Sequence, residues 1–221
     1  FLQQAKTLRR YGAAAVVMQP PTGEFMAKAQ RYAQSYAGSD DAVGFLQFIV
    51  SYATIERDAV ESAITVLTQS HAGSERIARV LPILQDRAVR NDATVVAGDR
   101  PAAEVVGELL ADPDPKQRHL GLYLQQQAQV LALCDAVIAQ NRDADALAQA
   151  YISRGAIRFK RIANLQQVGN DAEREAAVGD LKKVAEVTDD EELILAIPLD
   201  VQIEIGQPPS QGVHNLCMFV L

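Results

Sequence analysis

Tryptophan is missing from these 221 residues, and phenylalanine and tyrosine together supply only 5% of them. A core without large rings must be filled by aliphatic and small side chains, and alanine, the strongest helix former, is abundant. That balance suits closely packed helices. Cysteine is nearly absent too: Cys134 and Cys217 stand 83 positions apart and form neither a CxxC pair nor a metal-ligand spacing. They give no disulfide framework and no redox motif. The longest apolar run, Gly12 to Met18, falls far short of the ~20 residues that span a bilayer, so no membrane insertion is expected. An excess of positive charge is lacking as well. The net charge of −7 and the pI near 5.0 disfavour binding to nucleic acid or to anionic lipid. No G-x-S-x-G, phosphate loop or dinucleotide fingerprint occurs. The first residue is Phe1 rather than Met, which suggests a processed or truncated product whose targeting signal would not be visible.

What is present is 48% apolar sequence, enough in a chain of this length to bury a core. Its periodicity is helical almost throughout. Phe1 to Tyr11 carries Leu2, Ala5 and Leu8 on one side and Lys6, Arg9 and Arg10 on the other. Gly12 to Thr22 is a connector broken by Pro20-Pro21. A helix from Gly23 to Ala37 presents Phe25, Ala29, Tyr32 and Tyr36 as its stripe, and Gly38 ends it. Two more follow over Asp41 to Ala53 and Asp58 to Ser70. Ser74 to Val89 is a helix bent or delayed by Pro82, and Arg90 to Arg100 reads as a loop. Pro101 opens a helix to Leu110, and Asp114 with Gln117 caps a long one reaching Gln140. Val201, Ile203 and Ile205 alternate with polar residues in the manner of a strand.

One turn recurs. Gln34-Ser35-Tyr36-Ala37-Gly38-Ser39-Asp40 returns 35 residues later as Gln69-Ser70-His71-Ala72-Gly73-Ser74-Glu75. Glycine closes one helix and serine plus an acid opens the next. A two-helix period of about 35 residues falls among known helical arrays.

Ala150, Tyr151, Arg154 and Gly155, the turn Gly169-Asn170, and then Ala176, Asp180, Leu181, Lys183 and Val184 resemble a tetratricopeptide repeat. Cys134 to Ala139 looks like the second helix of a preceding unit. The resemblance implies antiparallel helix pairs, with Gly155 letting the partner helix approach closely. Ile152, Ala156, Phe159 and Ala163 are the expected buried stripe. Asn170 with Glu173, and Thr188 with Glu191, have capping-box spacing. The chain departs from the pattern in two places. Gly155 and Gly169 are 14 residues apart, which lengthens the first helix, and Asp189-Asp190 replaces the closing proline. The first half, together with Ile205-Gly206-Gln207-Pro208-Pro209, is similar to the helical region before the thioredoxin domain of TlpA-type proteins. That similarity implies a periplasmic or secreted setting, without the redox domain itself.

Few residues suggest a site. Arg154, Arg158 and Arg161 recur at i, i+4 and i+7 with Lys160 beside them, a basic ridge on an acidic protein. It could grip the carboxylates of a partner peptide. It could equally be a solvated face neutralised by Glu173 and Glu175. His71, His119 and His214 are scattered and read as turn or helix-surface residues rather than metal ligands. Glu104 and Glu108 lack a nearby base or nucleophile, and Cys134 is expected to be buried and inert. The expectation is therefore an all-α helical-repeat array, an α-solenoid of tetratricopeptide-like pairs, with no cofactor, no metal and no catalytic residue. Residues 1–22 form an N-terminal helix and connector, 23–130 degenerate repeats, 131–197 the best-preserved unit, and 198–221 a tail or cap. The expected role is a non-catalytic scaffold holding a protein or peptide on its concave face. The alternative is an accessory region of a TlpA-type thiol–disulfide oxidoreductase.

Overall fold

The computed structural model of the chain describes residues 22–53 and 57–195. Among them the backbone forms nine α-helices and no strand. They are α1 (Thr22–Ser35), α2 (Asp41–Tyr52), α3 (Arg57–Ser70), α4 (Leu81–Val89), α5 (Ala102–Ala111), α6 (Pro115–Gln140), α7 (Ala144–Leu165), α8 (Asp171–Val187) and α9 (Glu191–Leu195). A short 3-10 helix, Glu75–Arg79, precedes α4. The expected Phe1–Tyr11 helix, most of the connector after it, and the tail with Val201 to Ile205 lie outside the described residues.

Caps set the long helices. Asp114 Oδ1 accepts from the Lys116 amide at 2.9 Å, and Pro115 sits at the first helical position, where its missing N–H costs nothing. Asp143 Oδ1 likewise accepts from Ala146 N at 2.9 Å and starts α7. That helix ends on Gln166 at φ 43°, and Gly169 at φ 71° completes the turn into α8. Two expected capping boxes are replaced. Asn170 makes no side-chain cap, leaving Asp171 and Glu173 to complement the helix dipole. Asp190, not Thr188, caps α9 by accepting from Glu192 N at 2.8 Å.

Helices adjacent in sequence pack in the pairs α1–α2, α2–α3, α5–α6, α6–α7, α7–α8 and α8–α9. Beyond these, α3 lies on α6, while the 3-10 helix and α4 lie on α7. One apolar cluster therefore joins Met26, Leu46, Ile64 and Leu84 to Val130, Cys134 and Ile157. The division expected between residues 130 and 131 falls inside α6, and this core spans it. A second cluster seats α5 on the start of α6, and a third joins α7 to α8 through Ile152, Leu181 and Val184.

The two copies of the repeated turn lie side by side. Arg76 Nη1, just after the second copy, donates to Asp40 O of the first at 3.2 Å and to Asp41 Oδ1, just after it, at 2.9 Å. Asn141, in the turn between α6 and α7, donates to Ala72 O and Ser74 O, both at 3.0 Å. Three inter-helix turns are thus linked to one another. Ser39 and Ser74 both accept from the amide two residues on, as their position predicts. Gly38 and Gly73 do not take the left-handed conformation expected of a helix-ending glycine; Gly98 and Gly169 do.

Small residues mark two close approaches. A Cβ on Gly155 would stand 2.9 Å from Leu181 Cγ, so α7 and α8 touch there as the repeat pattern implies. A Cβ on Gly121 would stand 2.8 Å from Leu109 Cβ, at the α5–α6 contact. The loop of residues 90–100 is pinned along the C-terminal end of α7. Asn164 Nδ2 donates to Asn91 O at 2.9 Å and Ala93 O at 2.7 Å, and Val95 N donates to Asn164 O at 2.7 Å.

Two apolar stripes differ from expectation. On α1 the buried residues are Met26, Ala29 and Ala33, and Phe25, Tyr32 and Tyr36 are displaced to the surface. On α7 only Ile152 of the expected stripe is buried, and Ala163 is exposed. Because α7 packs on α4, α6 and α8 at once, it also buries Ser153, Ile157, Asn164 and Leu165. A helix enclosed on several sides has no single apolar face.

Candidate functional site

The basic ridge on α7 faces the chain's own carboxylates. Arg154 grips Asp180 of α8 with two bonds, Nε to Oδ2 at 3.0 Å and Nη2 to Oδ1 at 2.5 Å, and reaches Asp135 of α6 at 2.6 Å. Its guanidinium also stacks over the Tyr151 ring at 5.5 Å. Arg158 Nη1 donates to the same Asp180 at 2.8 Å, and Nε lies 3.4 Å from Glu173. Arg161 donates to the Leu124 carbonyl at 2.8 Å, and Lys160 pairs with Asp92. Asp180 is only 4% exposed.

Burial alone would lower the Arg154 pKa. The hydrogen bonds and charges of Asp180 and Asp135 outweigh it and hold the group above its ordinary value. At Arg161 burial prevails over the distant Glu173 and lowers the pKa. These four cations bind α6, α7, α8 and the residue 90–100 loop to one another. Of the two acids expected to neutralise them, Glu173 does so. Asp135 and Asp180 take the larger share, and the only sequence trace of Asp180 was its place in the repeat motif.

The other candidates resolve individually. His71 lies in the turn after α3 as expected, yet it is buried, with no partner for Nε2. His119 is exposed beside Lys116, Asn91 and Leu120 in an open depression of about 490 Å³. His214 and Cys217 lie outside the described residues. Glu104 and Glu108 are exposed, and Glu108 pairs with Arg100 at 2.6 Å. Cys134 is fully buried, and burial pushes its thiol pKa up to about 12, the unreactive state expected of it. Among the described residues no group of His, Cys, Asp and Glu could hold a metal ion, and no helix is long and apolar enough to cross a membrane.

The feature that remains is aromatic. Phe25, Tyr32 and Tyr36 run along α1 and its closing turn; Phe45, Phe48 and Tyr52 run along α2. Tyr32 and Tyr36 approach Phe45 with ring centroids 5.1 and 6.0 Å apart, and Phe48 lies 4.8 Å from Tyr52. Lys28 Nζ lies over the Phe25 ring, 5.6 Å from its centroid. Six of the chain's twelve aromatic rings thus form two adjoining rows. Phe25, Tyr32, Tyr36 and Tyr52 are 43–50% exposed. The α1 rings were legible in the sequence as a stripe at helical spacing, together with Ala29. Lys28 and Glu24 form an ion pair at its edge, 2.5 Å apart.

Comparison with protein-family models, with curated proteins and with solved structures finds no match.

Proposed function

We propose that the protein is a non-catalytic helical-repeat scaffold that binds a protein or peptide partner, with the aromatic double row on α1 and α2 as the binding face. The observation that carries this reading is the concentration of half the chain's aromatic rings on two neighbouring helices, with Phe25, Tyr32, Tyr36 and Tyr52 exposed. Aromatic side chains are enriched in interface cores, where they supply large contact area with few rotatable bonds. The Lys28–Glu24 ion pair beside Phe25 supplies part of the polar rim that such a surface needs.

The repeat part of the reading is supported by the linked turns and by the layering of α3 on α6 and α4 on α7. That is the relation of equivalent helices in stacked pairs, with α5 added between them. The basic ridge serves the architecture in this reading, because Arg154, Arg158 and Lys160 pair with Asp135, Asp180, Glu173 and Asp92, and Arg161 donates to the Leu124 carbonyl. The oxidoreductase-accessory alternative rests on the short helices and recurring turns of the first half, which the repeat reading accounts for equally, and on Ile205 to Pro209, outside the described residues.

The test is affinity capture comparing wild type, Tyr32→Ala/Tyr36→Ala and Glu104→Ala/Glu108→Ala, each checked for helicity. The tyrosine variant should lose the captured partner while the glutamate variant keeps it. Equal recovery by all three would remove the aromatic face as the binding site.

A further inference from the structure

We infer that the apolar groove along α7 and α8 seats an extended segment with apolar residues at alternate positions, and that its occupant is the chain's own Val201, Ile203 and Ile205. This seat is independent of the aromatic face. Three sides of α7 are taken. Ser153 faces α4, where its hydroxyl donates to Gln85 Oε1 at 3.0 Å, Gly155 faces Leu181 of α8, and Arg161 reaches the Leu124 carbonyl of α6. At 3.6 residues per turn, Ile152, Ala156, Phe159 and Ala163 share the remaining sector, between the α4 side and the α8 side. Of these four only Ile152 is buried. Ala156 and Phe159 are half-buried, and Ala163 is exposed. Val178 of α8 lies half-buried with Phe159 against the same cluster. The incompletely covered part of the sector, from Ala156 to Ala163, runs about 10 Å along the helix.

The chain itself approaches this groove. Val187, at the end of α8, and Leu193, in α9, both pack on the cluster of Ala148, Ile152, Leu181 and Val184. The turn at residues 188–190 therefore folds the chain back over the Ile152 end of the stripe. Pro198 prevents α9 from continuing far as a helix. Beyond it Val201, Ile203 and Ile205 alternate with Gln202 and Glu204, until Gly206 and Pro208-Pro209 break the pattern. Length permits the fit, because ten extended residues after Leu195 reach about 33 Å, against about 16 Å from Ile152 to Ala163 along the helix. Alternation gives it a direction. An extended segment turns successive side chains to opposite sides, so the three apolar residues meet Ala156, Phe159 and Ala163 while Gln202 and Glu204 stay in water. Small side chains on either side of Phe159 leave room for the branched ones. The segment then occupies the surface that a peptide of the same pattern would need.

The experiment follows thiol labelling of the full chain carrying Cys217→Ser with either Ala163→Cys or, as an exposed reference on α8, Ala172→Cys. Cys134 is fully buried and stays silent. The thiol at position 163 should label about tenfold or more slowly than the one at 172. Adding Ile203→Asp/Ile205→Asp should bring the two to equal rates, with far-ultraviolet circular dichroism checking that helicity is kept. Should that variant lose helicity, Ile205→Gln is read in its place. Equal rates in the chain with Ile203 and Ile205 intact overturn the inference. Protection that survives the substitutions in a helical chain overturns it as well. Protection that fades on dilution assigns the groove to a second copy and also overturns it.

Discussion

Replacing Gly155 by alanine sets two effects of known size against each other. In an open helix interior the change stabilises by up to about 1 kcal/mol, because alanine restricts the unfolded chain and favours the helix. In α7 the new methyl would lie 2.9 Å from Leu181 Cγ, 3.0 Å from its Cδ2 and 3.1 Å from the Ala177 carbonyl oxygen. Leu181 is 2% exposed and Ala177 is fully buried, so neither has solvent to move into. The helices must separate instead. Asp180 adjoins Leu181 in sequence, so separation also lengthens its bonds to Arg154 and Arg158. Overpacking of this kind costs about 1–3 kcal/mol, which leaves a net loss of about 1 kcal/mol. Gly121→Ala should lose more, about 2 kcal/mol, because its new methyl meets the Leu110 amide nitrogen at 2.9 Å and backbone cannot rotate aside. Gly107→Ala and Gly179→Ala are the contrast, since nothing lies within 4 Å of either position. Each should gain about 0.5–1 kcal/mol. Urea unfolding followed at 222 nm resolves these differences, because 1 kcal/mol moves the midpoint by roughly 0.3–0.5 M. Should Gly155→Ala rise in midpoint alongside Gly179→Ala, the close α7–α8 approach is wrong.

Asp180→Ala should cost about 3 kcal/mol, since it strips a shared acceptor from two half-buried arginines that retain only Asp135 and Glu173. Asp180→Asn, which keeps the shape and one acceptor oxygen, should cost less, and thermal unfolding of both variants checks the order. In a Cys217→Ser background, Cys134 should resist a thiol reagent at pH 8 in buffer and react fully in urea. Its folded pKa of about 12 lies above the unfolded value, so the associated stability is intact below about pH 9 and is lost as pH rises towards 12. The loss is at most about 4 kcal/mol, and Cys134→Ala should show a flatter alkaline decline in unfolding midpoint.

Helix boundaries were legible where capping chemistry was unambiguous. Asp114 and Pro115 fixed the start of α6, and Gly155 announced a close approach that the structure contains. Helix faces were less legible, and α1 shows why. Phe25, Tyr32 and Tyr36 follow the helical period as well as Met26, Ala29 and Ala33 do, so periodicity cannot say which set faces inward. Contact with α2 selects the small residues, because they let the helices approach, and displaces the rings to the surface. On α7 the signal failed for a different reason. Ser153 and Asn164 are polar by type yet buried, because Gln85 and the carbonyls of Asn91 and Ala93 wait for their donors. Such partners lie about 70 positions away, and no local pattern encodes them. The same distance hid the pairing of Lys160 with Asp92, and the pairing of Arg154 with Asp135, 19 positions away, crosses from one helix to the next. His71 looked like a surface turn residue because its cover comes from elsewhere in the chain.

The layering of α3 on α6 and of α4 on α7 has a consequence for synthesis. A ribosome releases the chain from its amino terminus, so α1 to α4 emerge well before the helices that cover them. Until Val130 to Ile157 are in reach, α3 and α4 lack their largest partners, α6 and α7, and the carbonyls of Ala72 and Ser74 lack Asn141. The amino-terminal half therefore gains its fixed packing only when α6 and α7 arrive. Although its turns repeat, α3 and α4 complete their packing only once α6 and α7 have been made, rather than one helical pair at a time.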